Sequence, residues 1–507
     1  MALGGSLRID DVIAVASGAP ARFGPGCAER IESSRAVVET ALSSGAVVYG
    51  VTTGFGSLAD VRLTAEHASA LQHGLVRSHA VAVGPELSAA EVRAMLALRA
   101  HVLALGCSGV RLEVAGRFLE LLEKDILPVV PEQGSLGASG DLAPLAHLAL
   151  GAMGEGKVRV RGGEPVPAAE ALAAAGLPPL SLEAKEGLAL INGTQGMTAI
   201  GVLVAGRARR LAKTADLAAA VTIEAILGTD RAFDPRVVGL RPHPGQQASA
   251  RNLVRLLAES EVLASHRESQ HIVQDAYSIR CAPQVHGAMR DVLHNTIATL
   301  EIELASISDN PIVLTADGEI LSCGNFHGQP VAHACDSLAA ALVGLASISE
   351  RRLYRLLDSK TSNGLPPFLV GEAGVNSGFM VCQYTAASLV SESKSLAHPA
   401  TVDSITSSAG QEDHVSMGMI AARHARECAT NAEAVVALEL LAACQALELR
   451  APLKPAPATA AALRALRRHI AHLDHDRELK PDVDAAIELV RTGEVLAAVE
   501  EAIGELE

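Results

Sequence analysis

The chain has 507 residues, of which 49% are apolar but only 2% aromatic, with no Trp, four Tyr and seven Phe. A core of that make-up is built mainly from Ala, Leu and Val, and Ala and Leu favour helix. The formal charge of −15, with no basic stripe interleaved with aromatics, argues against a nucleic-acid partner, and no segment reads as apolar enough for long enough to span a membrane.

The first eleven residues show no apolar signal region and turn acidic at once, so a soluble cytoplasmic protein is expected. A short strand at Leu7-Arg8-Ile9 is predicted to lead into a helix capped by Asp10 and ended by Gly18 and Pro20. A helix over 28–44 precedes Val47-Val48-Tyr49-Gly50-Val51-Thr52-Thr53-Gly54-Phe55-Gly56, whose three glycines predict a mobile loop around a rare tyrosine. Helical periodicity follows at 64–79, 88–106 and 111–125. Residues 157–166 alternate as a small hairpin, and 168–175 form a short helix. The polar turn Asn192-Gly193-Thr194-Gln195-Gly196 precedes a helix over 197–227. Helices are then predicted at 247–264, 284–306, 329–358, 376–397, 415–449, 457–473 and 482–505, interrupted by a hairpin over 312–321 turned at Asp317-Gly318. Such long Ala/Leu-rich helices form a bundle and invite oligomerisation. We expect a mixed N-terminal domain over 1–198 and a long-helix bundle domain over 199–507.

The eight cysteines (Cys27, Cys107, Cys281, Cys323, Cys335, Cys382, Cys428 and Cys444) form no CxxC pair, which suits reduced thiols. His469, His472 and His475 drift around a helix among Arg and Asp, a solvated face and not a metal site.

One stretch organises the rest: Gly134-Ser135-Leu136-Gly137-Ala138-Ser139-Gly140-Asp141-Leu142-Ala143-Pro144-Leu145-Ala146-His147. Backbone this free of side chains folds back on itself, with Gly137 and Gly140 tolerating dihedrals closed to other residues. If squeezed, the Gly140 amide nitrogen attacks the Ala138 carbonyl carbon. Loss of water from the ring and from the Ser139 hydroxyl leaves 4-methylidene-imidazol-5-one (MIO), an electrophile. The triplet alone is weak evidence, since Ala16-Ser17-Gly18 repeats it in what reads as an ordinary loop.

The surrounding run, however, closely resembles the signature of the aromatic amino acid ammonia-lyases. So do, in order, Tyr49-Gly50 with Thr53-Gly54-Phe55-Gly56, Arg77-Ser78-His79-Ala80, Asn192-Gly193-Thr194, Gln274-Asp275-Ala276-Tyr277-Ser278-Ile279-Arg280, Ser308-Asp309-Asn310-Pro311, Gly324-Asn325-Phe326-His327-Gly328, Asn376-Ser377-Gly378-Phe379 and Gln411-Glu412-Asp413-His414. The resemblance covers about residues 5 to 450. Within that family the chain is similar to the histidine-specific members: Ser78-His79 and Glu412 stand where aryl-specific members carry His-Leu or Phe-Leu, and Gln. Gln133 and Gly328-Gln329 depart from the usual Lys and Ala-Glu. The resemblance implies a mainly α fold, a long-helix bundle of the ammonia-lyase/fumarase-aspartase type with a smaller mixed N-terminal part carrying the MIO loop. It implies MIO from Ala138, Ser139 and Gly140, no metal, and elimination of ammonia from L-histidine. Asn192 would hydrogen-bond the ring, and Tyr49 would take the β-proton, which requires surroundings that acidify its phenol. Arg280, with Gln274 and Tyr277, would bind the carboxylate bidentately. His79, beside Ser78, and Glu412 would hold the imidazole, and Phe326 would wall the pocket. A homotetramer with shared sites is implied.

Two other readings remain open at this point. One is a tyrosine or phenylalanine ammonia-lyase or an aminomutase. The other is a non-catalytic protein on the same helical scaffold, which predicts decay of residues that are intact here.

Overall fold

The computed structural model describes residues 1–54, 65–269 and 273–507. The chain is mainly α, as expected, and its strands are two to four residues long. It divides into two compact units: Met1–Gly206 with Ile297–Asp336 and Pro399–Arg423, and Arg207–Thr296 with Ser337–His398 and His424–Glu507. The expected division at 198/199 is drawn along the sequence. The compact units are drawn by packing, which returns two later segments to the first.

In the first unit, Ala2–Leu3 pairs in parallel with Arg22–Phe23. The strand expected at residues 7–9 is absent. Ile9 already opens the helix Ile9–Ala16, because the Asp11 carboxylate accepts from the Arg8 amide at 2.9 Å. Asp10 therefore lies in the first turn and not at the cap. This helix packs on Ala89–Ala104, whose Ser88 cap and Glu91 bond each other's backbone amides. Three further helices, Ala65–His79, Leu142–Ala152 and Glu186–Ile191, pack pairwise. They bring the Ser78-His79 end, the helix after the signature and the Asn192 turn to one place. Val83–Glu86 pairs with Pro131–Gln133, and Ile126–Pro128 joins the expected hairpin at Lys157–Val160. Proline and glycine in these short strands hid them from pattern reading. The hairpin over 312–321 is present, with Gly318 at φ 67°.

In the second unit, buried side chains grip one another. Glu439 receives Arg352 at 2.5 and 2.8 Å, Thr222 at 2.8 Å and Ser349 at 2.6 Å. Asp216 receives Arg290, His286, Ser249 and Asn252. The helix expected over 482–505 is two, Lys480–Thr492 and Glu494–Ile503, because Gly493 turns left-handed between them. The helix expected over 247–264 likewise splits into Pro244–Leu256 and Glu261–Ala264, the second capped by Ser260. Ser377 and Gly378 stay outside the helix Met380–Leu396, since the Asp476 carboxylate holds their amides at 2.7 and 2.8 Å. His469 pairs with Glu494 and His472 with Glu448. Among the described residues no three His, Cys, Asp or Glu side chains converge as metal ligands. All eight cysteines are free.

Against the expectation that no segment is apolar enough to span a membrane, Gln329–Leu357 and Gly418–Glu448 pass that test by length and composition. Their most apolar windows are 61% and 83% buried within the chain, as in core helices.

Candidate active site

The signature loop owes its shape to two glycines. Gly137 and Gly140 have φ of 68° and 73°, in the left-handed region. A Cβ on Gly140 would lie 2.1 Å from the Gly193 carbonyl oxygen, and one on Gly137 would lie 2.2 Å from Ser416 Oγ. Neither position has room for a side chain. Backbone bonds close the loop: Asp141 N donates to Gly193 O at 2.7 Å, Met417 N to Leu136 O at 2.8 Å, and Gly328 N to Gly137 O at 3.3 Å.

The next residue locks this arrangement. The Asp141 carboxylate accepts from Ser135 Oγ and from the Met197 amide, both at 2.8 Å, at the start of the helix Gln195–Ala225. Complete burial raises its carboxyl to about 6, against the lowering effect of those hydrogen bonds.

Ser139 sits at the centre. Its carbonyl oxygen accepts from Asn192 Nδ2 at 2.8 Å, and its hydroxyl donates to Glu412 Oε1 at 2.7 Å. Asn192 is 3% exposed, and its Oδ1 has no hydrogen-bond partner among the described residues. Asn192 follows the helix Glu186–Ile191, and Arg99 caps that helix end. The Arg99 Nη1 donates to Asn192 O at 3.2 Å and to Gln195 Oε1 at 2.7 Å, while Nη2 donates to Ala189 O. Burial lowers the Arg99 guanidinium to about 10. At the other end of the helix, Lys185 and Asp309 form a fully buried ion pair at 3.1 Å. Sequence reading missed Arg99, although a lone arginine inside the apolar run 94–104 was the available signal.

Glu412 is held from behind. Ser407 Oγ donates to its Oε2 at 2.7 Å, and the two residues pair backbone to backbone.

The other expected residues of this unit sit on separate elements. Tyr49 lies half-buried in a turn over 48–53. There Thr52 Oγ1 accepts from Val48 N at 2.8 Å and Thr53 Oγ1 from Gly50 N at 3.2 Å. Val51 of that turn is buried with Val38 and with Val313 of the hairpin. Phe55 and Gly56, at the end of the tyrosine loop, lie outside the described residues. Ser78 and His79 end the helix Ala65–His79. The Leu75 carbonyl accepts from Ser78 Oγ at 3.1 Å and lies 2.8 Å from His79 Nδ1. A proton on Nδ1 leaves Nε2 as an acceptor. His147, the last residue of the signature, accepts from Ala82 N at 3.2 Å and fastens the segment after His79. Phe326 is half-buried in the turn before Gly328, the residue whose amide meets Gly137.

The remaining three residues belong to the second unit and form one group. Tyr277 is exposed, and the Arg280 guanidinium lies 4.4 Å from its ring centroid. Arg280 Nε donates to Asp275 O at 2.9 Å. With its amide oxygen turned towards Arg280, Gln274 accepts from Nη1 at 3.2 Å and also from Nη2.

Residues 7–468 match the aromatic amino acid lyase family. The chain belongs to that family. It is 52% identical over 505 residues to a histidine ammonia-lyase of Gloeobacter violaceus, covering 99% of this chain and 98% of that one. A second histidine ammonia-lyase, from Symbiobacterium thermophilum, is 52% identical over 506 residues, covering 100% and 99%. Among solved structures, the histidine ammonia-lyase of Trypanosoma cruzi superposes with a TM-score of 0.92 at 40% identity, covering 99% of this chain and 96% of that one. Tyrosine aminomutase from Streptomyces globisporus does so at 0.93 and 38%, covering 99% of both. This member of the family is a lyase acting on a small molecule.

Proposed function

We propose that this chain eliminates ammonia from L-histidine to give trans-urocanate, using MIO formed autocatalytically from Ala138, Ser139 and Gly140. The observation that carries the reading is Ser139 held between Asn192 on its carbonyl and Glu412 on its hydroxyl. The residues fit the group: the Ser139 carbonyl oxygen becomes the ring's conjugated carbonyl, and a buried amide donor already meets it. MIO, once formed, supplies an electrophilic methylene that takes the substrate amine and makes it a leaving group.

The chain's own residues do the rest. Asn192 withdraws electrons through its hydrogen bond. Glu412 loses its Ser139 partner when that hydroxyl departs, and Oε1 then accepts the imidazole N–H, with His79 and Ser78 lining the same end. Tyr49 takes the β-proton. Arg280, with Gln274 and Tyr277, binds the carboxylate through its planar fork, and Phe326 walls the pocket. A polar pair such as His79 and Glu412 suits an imidazole, whereas a phenyl ring would leave the carboxylate unpaired. The reading requires no metal or dissociable cofactor. It places the enzyme in the cytoplasm as a homotetramer whose subunits share sites.

Intact mass and turnover test it together. The mass should fall short of the sequence by two waters, and L-histidine should give urocanate with no β-amino product by chromatography. An unmodified mass, a preference for L-tyrosine, or a β-amino acid product would overturn it. The last would instead favour an aminomutase, the activity named for the Streptomyces globisporus neighbour. An active monomer in light scattering would refute the shared site.

A further inference from the structure

Glu412 leaves a turn with unusual backbone. Ser408, Ala409 and Gly410 have φ of 50°, 53° and 91°, three left-handed residues in a row, two of them with side chains. Side chains disfavour this region, and such strain persists only where the surroundings over-determine it. Here the ends of the turn do so. Ser407 N donates to Glu412 O at 2.8 Å, and Glu412 N donates to Ser407 O at 3.3 Å. The Ser407 hydroxyl adds a third bond, to Glu412 Oε2 at 2.7 Å. The two carboxylate oxygens thus have different duties. Oε2 is tethered within its own turn, and Oε1 is presented to Ser139. A glutamate has three side-chain torsions, and two anchored ends of a short turn do not stop the carboxylate from rotating. The tether on Oε2 does.

We infer that Ser407 is a positioning residue for the lyase reaction, holding Glu412 so that Oε1 points at the substrate ring. The inference rests on the role given to Glu412 above. Ser407 itself touches no reacting atom.

The test uses the full-length protein with Ser407→Ala and Ser407→Thr, read by intact mass, melting temperature and kcat and KM for L-histidine. Ser407→Ala should keep the two-water mass deficit and melt within about 2 °C of wild type, since one half-exposed hydrogen bond is lost. It should lower kcat/KM roughly tenfold, the effect of one charge-assisted hydrogen bond. Ser407→Thr, which keeps the hydroxyl, should return to within about threefold of wild type. Wild-type kcat/KM in Ser407→Ala would overturn the inference. So would equal losses in Ala and Thr, or a fall in melting temperature that tracks the loss of activity. If wild type leaves L-histidine untouched, the substrate reading fails by itself. The same Ala and Thr comparison on whichever aromatic amino acid is turned over then decides Ser407 separately, by the same criteria.

Discussion

Ala-Ser-Gly occurs twice in this chain, and the two copies end in different states. Ala16-Ser17-Gly18 closes a helix at the surface. Ser17 turns both its amide and its hydroxyl back to Ile13 O, at 3.0 and 2.9 Å, and Gly18, at φ 103°, has open space where a Cβ would go. In Ala138-Ser139-Gly140 the serine reaches outward. Its carbonyl is taken by a residue 53 positions away and its hydroxyl by one 273 positions away. Gly140 lies against the backbone of Gly193, with no room for a side chain. At the first copy the Gly18 amide, the atom that would have to attack Ala16, donates instead to Val15 O at 2.9 Å as part of the helix end. Ser139, gripped from two sides by distant residues, is held in a single geometry, as the proposed formation of MIO requires.

The sharpest way to break the comparison is to change both serines. Ser139→Ala should lower activity by at least about 1,000-fold, some 4 kcal/mol of barrier, and should restore one water to the mass by blocking dehydration. Ser17→Ala should leave the two-water deficit from its own sequence mass and the turnover as in wild type. Equal outcomes in mass spectrometry and assay would mean that the two triplets do not differ in function.

Changing the glycines comes next. Gly140→Ala forces a Cβ into the Gly193 backbone at positive φ and should destabilise the fold by more than about 3 kcal/mol, or yield protein of unmodified mass. Gly18→Ala meets no neighbour and should lose only about 1–2 kcal/mol for its dihedral. Thermal melts of the two variants measure the difference.

The residue after each glycine extends the contrast, since Ala19 follows Gly18 and Asp141 follows Gly140. Burial raises the Asp141 carboxyl from 3.8 to about 6. The folded state therefore holds this proton more tightly than the unfolded chain. Its stabilising contribution is complete below about pH 4 and is lost as pH rises through 6. Relative to Asp141→Asn, wild type should lose about 2 kcal/mol between pH 4 and 7. Denaturant titrations at both pH values would show this, and parallel behaviour of the two proteins would contradict it.

The smallest effects test the two polar residues proposed to hold the imidazole, of which Glu412 meets Ser139. Glu412→Gln should lower kcat/KM for L-histidine about 10- to 100-fold, roughly 1–3 kcal/mol, with the two-water deficit intact. His79→Leu should lower histidine turnover and admit L-tyrosine or L-phenylalanine weakly. Ratios of kcat/KM for the three amino acids are the measurement. If neither change moves them, these two residues do not select the substrate.

Much of this was legible in the linear chain, and the parts that were not share a cause. Long Ala/Leu helices such as Gln195–Ala225 and Gly418–Glu448 carry their periodicity in consecutive residues, so their existence could be read directly, as could the hairpin turned at Asp317-Gly318. Local signals also located the Asn192 turn, and the family resemblance singled out the signature run. Breaks inside helices were harder. Gly493 terminates a helix only because it turns left-handed, whereas Gly201, Gly206 and Gly344 continue theirs. The residues that aim the site were harder still. Arg99 at the Asn192 carbonyl and Ser407 at the Glu412 carboxylate are ordinary residue types whose meaning lies in what they touch.

By itself, then, the sequence determined the helical class, because composition and periodicity suffice for that, and its resemblance to the family singled out the Ala138-Ser139-Gly140 triplet and the polar segments around it. Only the tertiary structure decided which Ala-Ser-Gly is clamped, through Gly140 on Gly193 and Ser139 between Asn192 and Glu412. It also decided that residues 297–336 and 399–423 join the N-terminal unit. Both depend on hydrogen bonds and close contacts between residues dozens to hundreds of positions apart, and such pairings leave no trace in local pattern because either partner is compatible with many neighbours until the chain has folded.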